Sequence, residues 1–218
     1  MAVRIKICGV KTLDDALAAV EAGADMLGFN FYPPSPRYVK PSACASLIAA
    51  LDGRGLFVTA VGVFVNTPVA DLTAIMAECG LDLAQLSGDE PPAFVEALGA
   101  RAFKAIRPQT SDEARAALDR YPRRKAPPAL LVDAAHAGAY GGTGQAGDWA
   151  LARWLAARVP IMLAGGLNPA NVADALAQVR PWGVDVASGV EAERGRKDPA
   201  LIAAFVRAVR LYEQENPA

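Results

Sequence analysis

The sequence predicts a (β/α)8 barrel, the TIM-barrel architecture, formed as a single domain by residues 1–218. Short apolar runs alternate eight times with Ala-rich helical stretches, and such alternation implies right-handed parallel crossovers. Eight repeats in 218 residues match a barrel of minimal size, and no Pro- or Ser-rich linker divides the chain. The alternative is an open doubly wound sheet, which more often carries a glycine fingerprint after its first strand; residues 8–12 read CGVKT instead.

The apolar runs are the strand candidates. In the first, Arg4, Lys6 and Cys8 alternate with Ile5 and Ile7, so the first three share one face of the strand. Because the apolar face should meet the helices, we expect Lys6 and Cys8 to point into the barrel. In chain order the candidates cover residues 4–10, 25–32, 56–65, 81–88, 101–108, 129–134, 159–166 and 183–191.

Each strand candidate is followed by a stretch with helical spacing. In the first, Leu13 and Ala16 recur on one face and Gly23 can end the helix. In the third, Thr67 can cap the helix and Pro68 suits its first turn. The helix candidates cover residues 12–24, 41–53, 67–80, 90–99, 110–121, 147–157, 168–179 and 198–214.

Composition and charge exclude several classes of protein. The formal net charge is −1 with both signs interspersed, which predicts no nucleic-acid partner. The N-terminus lacks a signal-peptide run, and no apolar stretch reaches the roughly 20 residues that span a bilayer. Three cysteines cannot all pair, and a single histidine leaves no metal-ligand spacing. We therefore expect a cytoplasmic protein without a disulfide framework, membrane contact or bound metal.

Polar residues cluster where the predicted strands end. In a barrel these positions meet at the C-terminal face, where the active sites of this architecture are built. Cys44 and Cys79 lie in helix patterns and are expected to be buried core residues. The strand-end positions are Cys8, Arg37, Gln85, Asp133, the GGTG loop at 141–144, AGG at 164–166 and ASG at 187–189.

The glycine-containing turns after strands seven and eight are candidates for a phosphate site. Glycine permits close approach of backbone N–H groups, and the loops after these two strands commonly bind phosphate in barrels. The alternative is that the glycines only form tight turns. The residues concerned are Gly165, Gly166, Ser188 and Gly189.

Cys8 and Asp133 are candidates for acid–base chemistry. A cation such as Lys6 lowers a thiol pKa, so Cys8 could act as a base or nucleophile, although most free cysteines are small apolar fillers. A carboxylate at the end of an apolar strand needs a task or a partner. Asp133 could be a general acid, a partner of Lys6 or a loop cap, and Asp185 is expected either to pair with Lys6 or to contact substrate.

Two loops complete the candidate site. Three prolines stiffen the loop before Arg37, which could offer a guanidinium fork to a carboxylate or phosphate or could simply be solvated. The loop through Gly141–Gly144 could order over a ligand or could be a flexible connection. His136 is not chosen as a base, because it follows Asp133 in a glycine-rich loop without a visible orienting partner.

Nine short motifs follow one another along the chain: KICGVKT, GFNFYPPSPRYV, VGVFVN, AQLSGDE, LLVDA, GGTG, DW, LAGGLNPANV and GVDVASGVE. In combination they resemble phosphoribosylanthranilate isomerase from the first strand to the eighth. The resemblance implies an enzyme of tryptophan biosynthesis that converts N-(5-phosphoribosyl)anthranilate to an aminodeoxyribulose phosphate by an Amadori rearrangement. It implies a small-molecule phosphoribosyl substrate and no cofactor, and for assembly we expect a monomer or a homodimer.

The resemblance also implies residue roles. Cys8 is the general base, Asp133 the general acid, and Arg37 holds the anthranilate carboxylate. Burial among apolar neighbours is expected to keep Asp133 protonated. Gln85 and Asp185 are assigned to the substrate. The phosphate is assigned to Gly165, Gly166, Ser188 and Gly189.

One position departs from the family pattern. The family commonly reads QLHGDE, whereas this chain has Ser87 in place of the histidine. A ring that could pack against the aromatic substrate is lost, which puts substrate affinity in doubt. Ala187 also stands where serine is frequent, which is a minor change.

Two rival functions are considered. Another phosphosugar isomerase of histidine synthesis would favour paired aspartates at the ends of strands one and five, where this chain has Cys8 and AIRP. A pentose-phosphate epimerase would need metal-binding histidines. A non-catalytic phosphosugar-binding module is favoured by Ser87, but it would need neither Cys8 nor Asp133.

Overall fold

The computed structural model describes residues 2–122, 124–134 and 149–217. Eight parallel strands pair in chain order, and the eighth pairs with the first, so the sheet closes into a barrel. The predicted (β/α)8 barrel is therefore confirmed. The strands are β1 (Arg4–Cys8), β2 (Met26–Asn30), β3 (Thr59–Phe64), β4 (Leu83–Leu86), β5 (Ala102–Ile106), β6 (Leu130–Asp133), β7 (Ile161–Ala164) and β8 (Gly183–Val186).

A helix follows each strand, as the sequence pattern predicts. Thr12 caps the first helix by accepting a hydrogen bond from the backbone N–H of Asp15, and Gly23 ends it with φ 100°. The prediction for the third helix is wrong by one residue, because Pro68 rather than Thr67 occupies the capping position. The helices are α1 (Leu13–Ala22), α2 (Pro41–Asp52), α3 (Val69–Cys79), α4 (Pro92–Leu98), α5 (Ser111–Arg120), α6 (Trp149–Ala156), α7 (Val172–Val179) and α8 (Pro199–Glu215).

Within the described ranges, no helix has both the length and the apolar character needed to cross a membrane. Cys44 and Cys79 lie buried in α2 and α3, which confirms their prediction as core residues.

The apolar residues form two separate clusters. The larger one fills the space between the barrel and its surrounding helices. The smaller one lies inside the barrel and plugs its centre, so the interior is packed core rather than a channel. A cavity along the barrel axis can therefore lie only at one of the two ends of the barrel. The residues of the plug are Met26, Val61, Leu83, Phe103, Ala105, Leu131, Met162 and Ala164.

A short antiparallel hairpin after β8 is absent from the sequence prediction. A 3-10 turn at Ser188–Val190 leads into β9 (Glu191–Glu193), which pairs with β10 (Arg196–Lys197). The sequence pattern extended strand eight to residue 191, but β8 ends at Val186. The hairpin brings Glu191 and Lys197 back to the C-terminal end of the barrel, where both take part in ion pairs.

The substitution Phe205→Ala is expected to destabilise the protein by about 3–5 kcal/mol, because it removes a large buried side chain from the outer core. Phe205 has 0 % relative exposure in α8, whereas Leu211 of the same helix is 52 % exposed. Leu211→Ala is the matched control and should change stability by about 0.5 kcal/mol or less. Urea unfolding measures both. Equal losses for the two variants would contradict the assignment of the α8 core face.

Candidate active site

A cavity of about 190 Å³ lies at the C-terminal ends of the strands. Active sites of (β/α)8 barrels lie at this face, because the C-terminal ends of all eight strands meet there. The structure brings eight of the nine predicted site residues together in its wall. They are Cys8, Arg37, Gln85, Asp133, Gly165, Gly166, Asp185 and Ser188.

The side chain of Lys6 lies beneath this cavity with 0 % relative exposure. Its Nζ donates hydrogen bonds to Asp185 Oδ1 at 2.8 Å and to Gln85 Oε1 at 3.0 Å. Burial lowers the pKa of Lys6, but the attraction of Asp185 and Cys8 outweighs burial, so the pKa is raised and the ammonium persists. The predicted ion pair of Lys6 with Asp185 is confirmed, and Asp185 also lines the cavity.

Cys8 is 8 % exposed and its pKa is raised. Burial is the main cause; Lys6 and Lys197 lower the pKa and Asp185 raises it further. The prediction that Lys6 leaves this thiol with a lowered pKa is therefore wrong in its net direction, because desolvation exceeds the effect of the cations. A Cβ at Gly28 would lie 2.9 Å from Cys8 Sγ and 3.0 Å from Lys6 Nζ, so only glycine leaves room for this pair.

Asp133 does not lie among apolar neighbours alone. Its Oδ2 is 3.6 Å from Nε of Arg107, which is an ion-pair distance and favours the charged carboxylate. The expected burial of Asp133 is observed, at 6 % relative exposure, but a cation that the sequence analysis did not include lies beside it. Sequence reasoning missed Arg107, although its position one residue after β5 is a strand-end position like the others.

Arg37 is held by a carboxylate that the sequence analysis also missed. Its Nε donates to Glu191 Oε1 at 2.6 Å and its Nη2 donates to Glu191 Oε2 at 2.8 Å, so the pair is bidentate. Burial raises the pKa of Glu191, but the hydrogen bonds from Arg37 and the charge of Lys197 outweigh it and lower the pKa overall. Arg37 lines the cavity and Glu191 stands behind it.

The two candidate phosphate loops approach each other closely. Gly165 and Gly166 have φ values of 99° and 66°, which favour glycine. A Cβ at Gly189 would lie 1.9 Å from the carbonyl oxygen of Leu167, so this glycine lets the loop after β8 pass against the loop after β7. Of the predicted site residues, Gly189 does not line the cavity, although its neighbour Ser188 does.

Some predictions fall outside the described residues. His136 and the loop through Gly141–Gly144 lie in residues 135–148, so their roles stay predictions. Across the ranges that the structure describes, no group of three or more His, Cys, Asp or Glu side chains is arranged to hold a metal ion.

Comparisons with known proteins agree with this geometry. The family model described as PRAI: N-(5'phosphoribosyl)anthranilate (PRA) isomerase matches residues 5–208. The chain belongs to this family. An N-(5'-phosphoribosyl)anthranilate isomerase of Pseudomonas fluorescens (strain Pf0-1) is 49 % identical over 209 residues, covering 96 % of this chain and 99 % of the relative.

Solved structures of the family share the barrel. The crystal structure of phosphoribosyl anthranilate isomerase from Thermotoga maritima has a TM-score of 0.84 at 36 % identity and covers 95 % of this chain and 98 % of its own. A structure of the isomerase in complex with reduced 1-(o-carboxyphenylamino)-1-deoxyribulose 5-phosphate has a TM-score of 0.81 at 36 % identity, with the same coverage.

Ser87, which stands where the resemblance in sequence leads us to expect a histidine, lies in the cavity wall and is 5 % exposed. Its hydroxyl accepts a hydrogen bond from Gln85 Nε2 at 3.1 Å, and its carbonyl oxygen accepts one from Arg107 Nη1 at 3.1 Å. Gln85 thereby connects Ser87 to Lys6. The serine is therefore integrated into the polar floor of the cavity.

The substitution Glu191→Gln is expected to lower the free energy of unfolding by about 3–5 kcal/mol at neutral pH, because it leaves two cations around one neutral amide. The folded-state pKa of Glu191 is lowered, so its stabilisation is present above the unfolded pKa of about 4.3 and is lost as the pH falls through the folded value. The difference between wild type and variant should therefore stay constant from pH 7 to about pH 5 and shrink as the pH falls below about 4.3.

Glu193→Gln is the matched control, since Glu193 lies in the same hairpin with its side chain 68 % exposed. Urea unfolding at several pH values measures both variants. A stability difference for Glu191→Gln that stays constant with pH would contradict the assigned ionic clamp.

Proposed function

We propose that this protein converts N-(5'-phosphoribosyl)anthranilate to 1-(2-carboxyphenylamino)-1-deoxyribulose 5-phosphate by an Amadori rearrangement, as an isomerase of tryptophan biosynthesis. The observation that carries the proposal is a thiol and a carboxyl group, Cys8 and Asp133, in the wall of one cavity together with Arg37. The two groups come from the ends of non-adjacent strands, so they can reach different atoms of one substrate. Membership of the isomerase family supports the same reaction.

The substrate is held at its two anionic ends. Arg37 offers its guanidinium to the anthranilate carboxylate; two of its N–H groups bind Glu191, and its remaining N–H groups stay available. The phosphate lies against Gly165, Gly166 and the loop of Ser188 and Gly189, where backbone N–H groups can approach it. The ribose then spans the polar floor formed by Gln85 and Asp185, with Ser87 at its anthranilate end.

The first step is acid-assisted opening of the furanose ring. Asp133 donates a proton to the ring oxygen, the bond from this oxygen to C1′ breaks, and the nitrogen lone pair forms the protonated Schiff base. Arg107, whose Nε lies 3.6 Å from Asp133 Oδ2, favours the charged carboxylate before the substrate binds. The substrate brings two anionic groups into this enclosed space, which offsets that cation and favours a proton on Asp133.

The second step is removal of the C2′ proton. The Schiff base acidifies this proton, and the thiolate of Cys8 accepts it while the electron pair moves towards nitrogen to form an enolamine. The enolamine tautomerises to the ketone as C1′ gains a proton and the C2′ hydroxyl loses one. Protons are only relocated, so the reaction needs neither a redox cofactor nor a metal.

All residues assigned to the reaction come from one chain. The substrate is a small phosphoribosyl compound, and the proposed chemistry involves neither nucleic acid nor membrane. A monomer and a homodimer are both compatible with this site, and light scattering on the purified protein distinguishes them.

The variants Cys8→Ala and Asp133→Asn should each lower kcat/KM for N-(5'-phosphoribosyl)anthranilate by about 10²–10⁴-fold, because each removes a group that moves a proton in the transition state. Turnover is followed by the change in anthranilate fluorescence with freshly prepared substrate. Cys44→Ala is the matched control, since Cys44 is a buried cysteine of α2, and it should retain activity.

If the wild-type protein binds the substrate without converting it, the isomerase proposal is wrong and the protein is a phosphosugar-binding module. Full activity of Cys8→Ala would instead keep the reaction and remove Cys8 from its assigned role.

The substitution Ser87→His is expected to lower the KM of this isomerase about two- to tenfold, because an imidazole ring can pack against the anthranilate ring. The change in kcat should be smaller, since the ring touches no atom that gains or loses a proton. Ser87→Ala is the control, because it removes the hydroxyl that Gln85 contacts without adding a ring. A Ser87→His variant with a higher KM than Ser87→Ala would contradict a packing role for the family histidine at this position.

A further inference from the structure

The ionised groups around Cys8 carry one positive charge in excess. Two buried ion pairs account for most of them: Lys6 with Asp185, and Arg37 with Glu191. The ammonium of Lys197 is the additional cation, and its side chain is 1 % exposed. Of these groups, the proposed function uses Arg37 and Asp185 to bind the substrate and assigns nothing to Lys197.

Lys197 is held in place by a backbone carbonyl group and by a carboxylate that it shares with Arg37. Its Nζ donates to the carbonyl oxygen of Ala187 at 2.8 Å and to Glu191 Oε1 at 3.2 Å. The same Oε1 atom already accepts the 2.6 Å hydrogen bond from Arg37 Nε. Glu191 therefore serves two cations with one negative charge.

The geometry of the hairpin explains why Lys197 lies here. Strand β10 places it beside β9, and the carbonyl oxygen of Ala187 belongs to the segment between β8 and the hairpin. The ammonium is directed by this backbone contact from the hairpin towards the end of β8. Removing such a charge from water is unfavourable unless an anion lies within reach.

Cys8 is the group that can supply this anion. Ile7, the residue before Cys8, pairs with Val186, the residue before Ala187, so the ammonium on the Ala187 carbonyl oxygen lies next to the end of β1 that carries Cys8. At this separation the ammonium of Lys197 and the thiolate of Cys8 each favour the charged form of the other. When Cys8 is a thiol, three cations face two carboxylates; when it is a thiolate, the cluster is neutral. The charge balance thus couples the state of the proposed base to Lys197.

We propose that Lys197 is a positioning residue for the base of the reaction, whose buried ammonium stabilises the thiolate of Cys8. The inference rests on the proposed function only in calling Cys8 the base; the electrostatic coupling itself is a property of the protein without substrate. Lys197 is absent from the cavity wall, so it acts through Cys8 and not by touching the substrate.

The other charged groups near Cys8 do not replace this effect. Lys6 is matched by Asp185, Arg37 by Glu191, and Arg107 by Asp133 on the other side of the cavity. Arg194 also lines the cavity but is exposed to solvent, where its field is screened. The pKa of Lys197 is lowered, because burial outweighs the opposing attraction of Glu191 and Cys8. The ammonium of Lys197 and the thiolate of Cys8 therefore stabilise each other.

The test is the pH dependence of Cys8 alkylation by iodoacetamide in the protein without substrate, with mass spectrometry following the peptide that contains Cys8. Only the thiolate reacts, so the midpoint of the rate profile reports the ionisation of Cys8. Lys197→Met should move this midpoint upwards by about one pH unit, which is a tenfold slower reaction below the midpoint. Lys197→Arg keeps the charge and should restore the wild-type midpoint.

Two further variants separate charge from structural damage. Arg196→Met removes an exposed cation from the same strand and should leave the midpoint unchanged. Glu191→Gln removes an anion from the cluster and should move the midpoint downwards, opposite to Lys197→Met. Circular dichroism shows whether Lys197→Met is folded. If it is not, the downward shift expected for Glu191→Gln still tests the inference.

An unchanged midpoint in folded Lys197→Met, or an upward shift in Glu191→Gln, would overturn the inference. The readout needs no turnover, so a protein that proves inactive as an isomerase can still support or refute it. If the protein is active, the rising limb of its kcat/KM profile should shift with the alkylation midpoint in Lys197→Met. A uniform loss of activity without that shift would indicate a merely structural role.

Discussion

The site depends on the burial of an ammonium group at the centre of the barrel mouth. Lys6 has no exposed surface, so its charge must be matched by Asp185 and its remaining hydrogen-bonding capacity directed to Gln85. Side chains of β1, β4 and β8 therefore meet above the apolar plug of the barrel. Cys8 lies one strand repeat beyond Lys6 on the same face, and the polar floor on which the proposed chemistry takes place is built around this contact.

A second ionic group builds the rim of the same cavity. Glu191 clamps Arg37 and shares one oxygen with Lys197, so the β9–β10 hairpin and the loop after β2 are fixed against each other. This clamp orients a guanidinium before any ligand arrives, which reduces the ordering that binding requires. Burial makes such clusters sensitive to the loss of a single member, because the remaining charge is left without a partner.

The sequence was sufficient to predict the barrel, because strand and helix periodicity is a local property and eight repeats leave little choice of topology. It was also sufficient to bring Cys8, Gln85, Asp133 and Asp185 together, since ends of parallel strands in a closed barrel meet at one face. It was insufficient for Glu191, which lies 154 positions from Arg37 and looked like the end of a strand. The sequence also could not predict that the pKa of Cys8 is raised, because the desolvation that raises it depends on how the side chains pack around the thiol.

The most direct test of whether Cys8 is the base of the reaction compares two pH profiles of the wild-type protein. One is kcat/KM for N-(5'-phosphoribosyl)anthranilate, whose rising limb reports the essential base of the free enzyme. The other is the rate of Cys8 alkylation, which reports the thiolate. If Cys8 is the base, the midpoint of the rising limb coincides with the alkylation midpoint. A kcat/KM that stays flat through the pH range in which Cys8 ionises would contradict it.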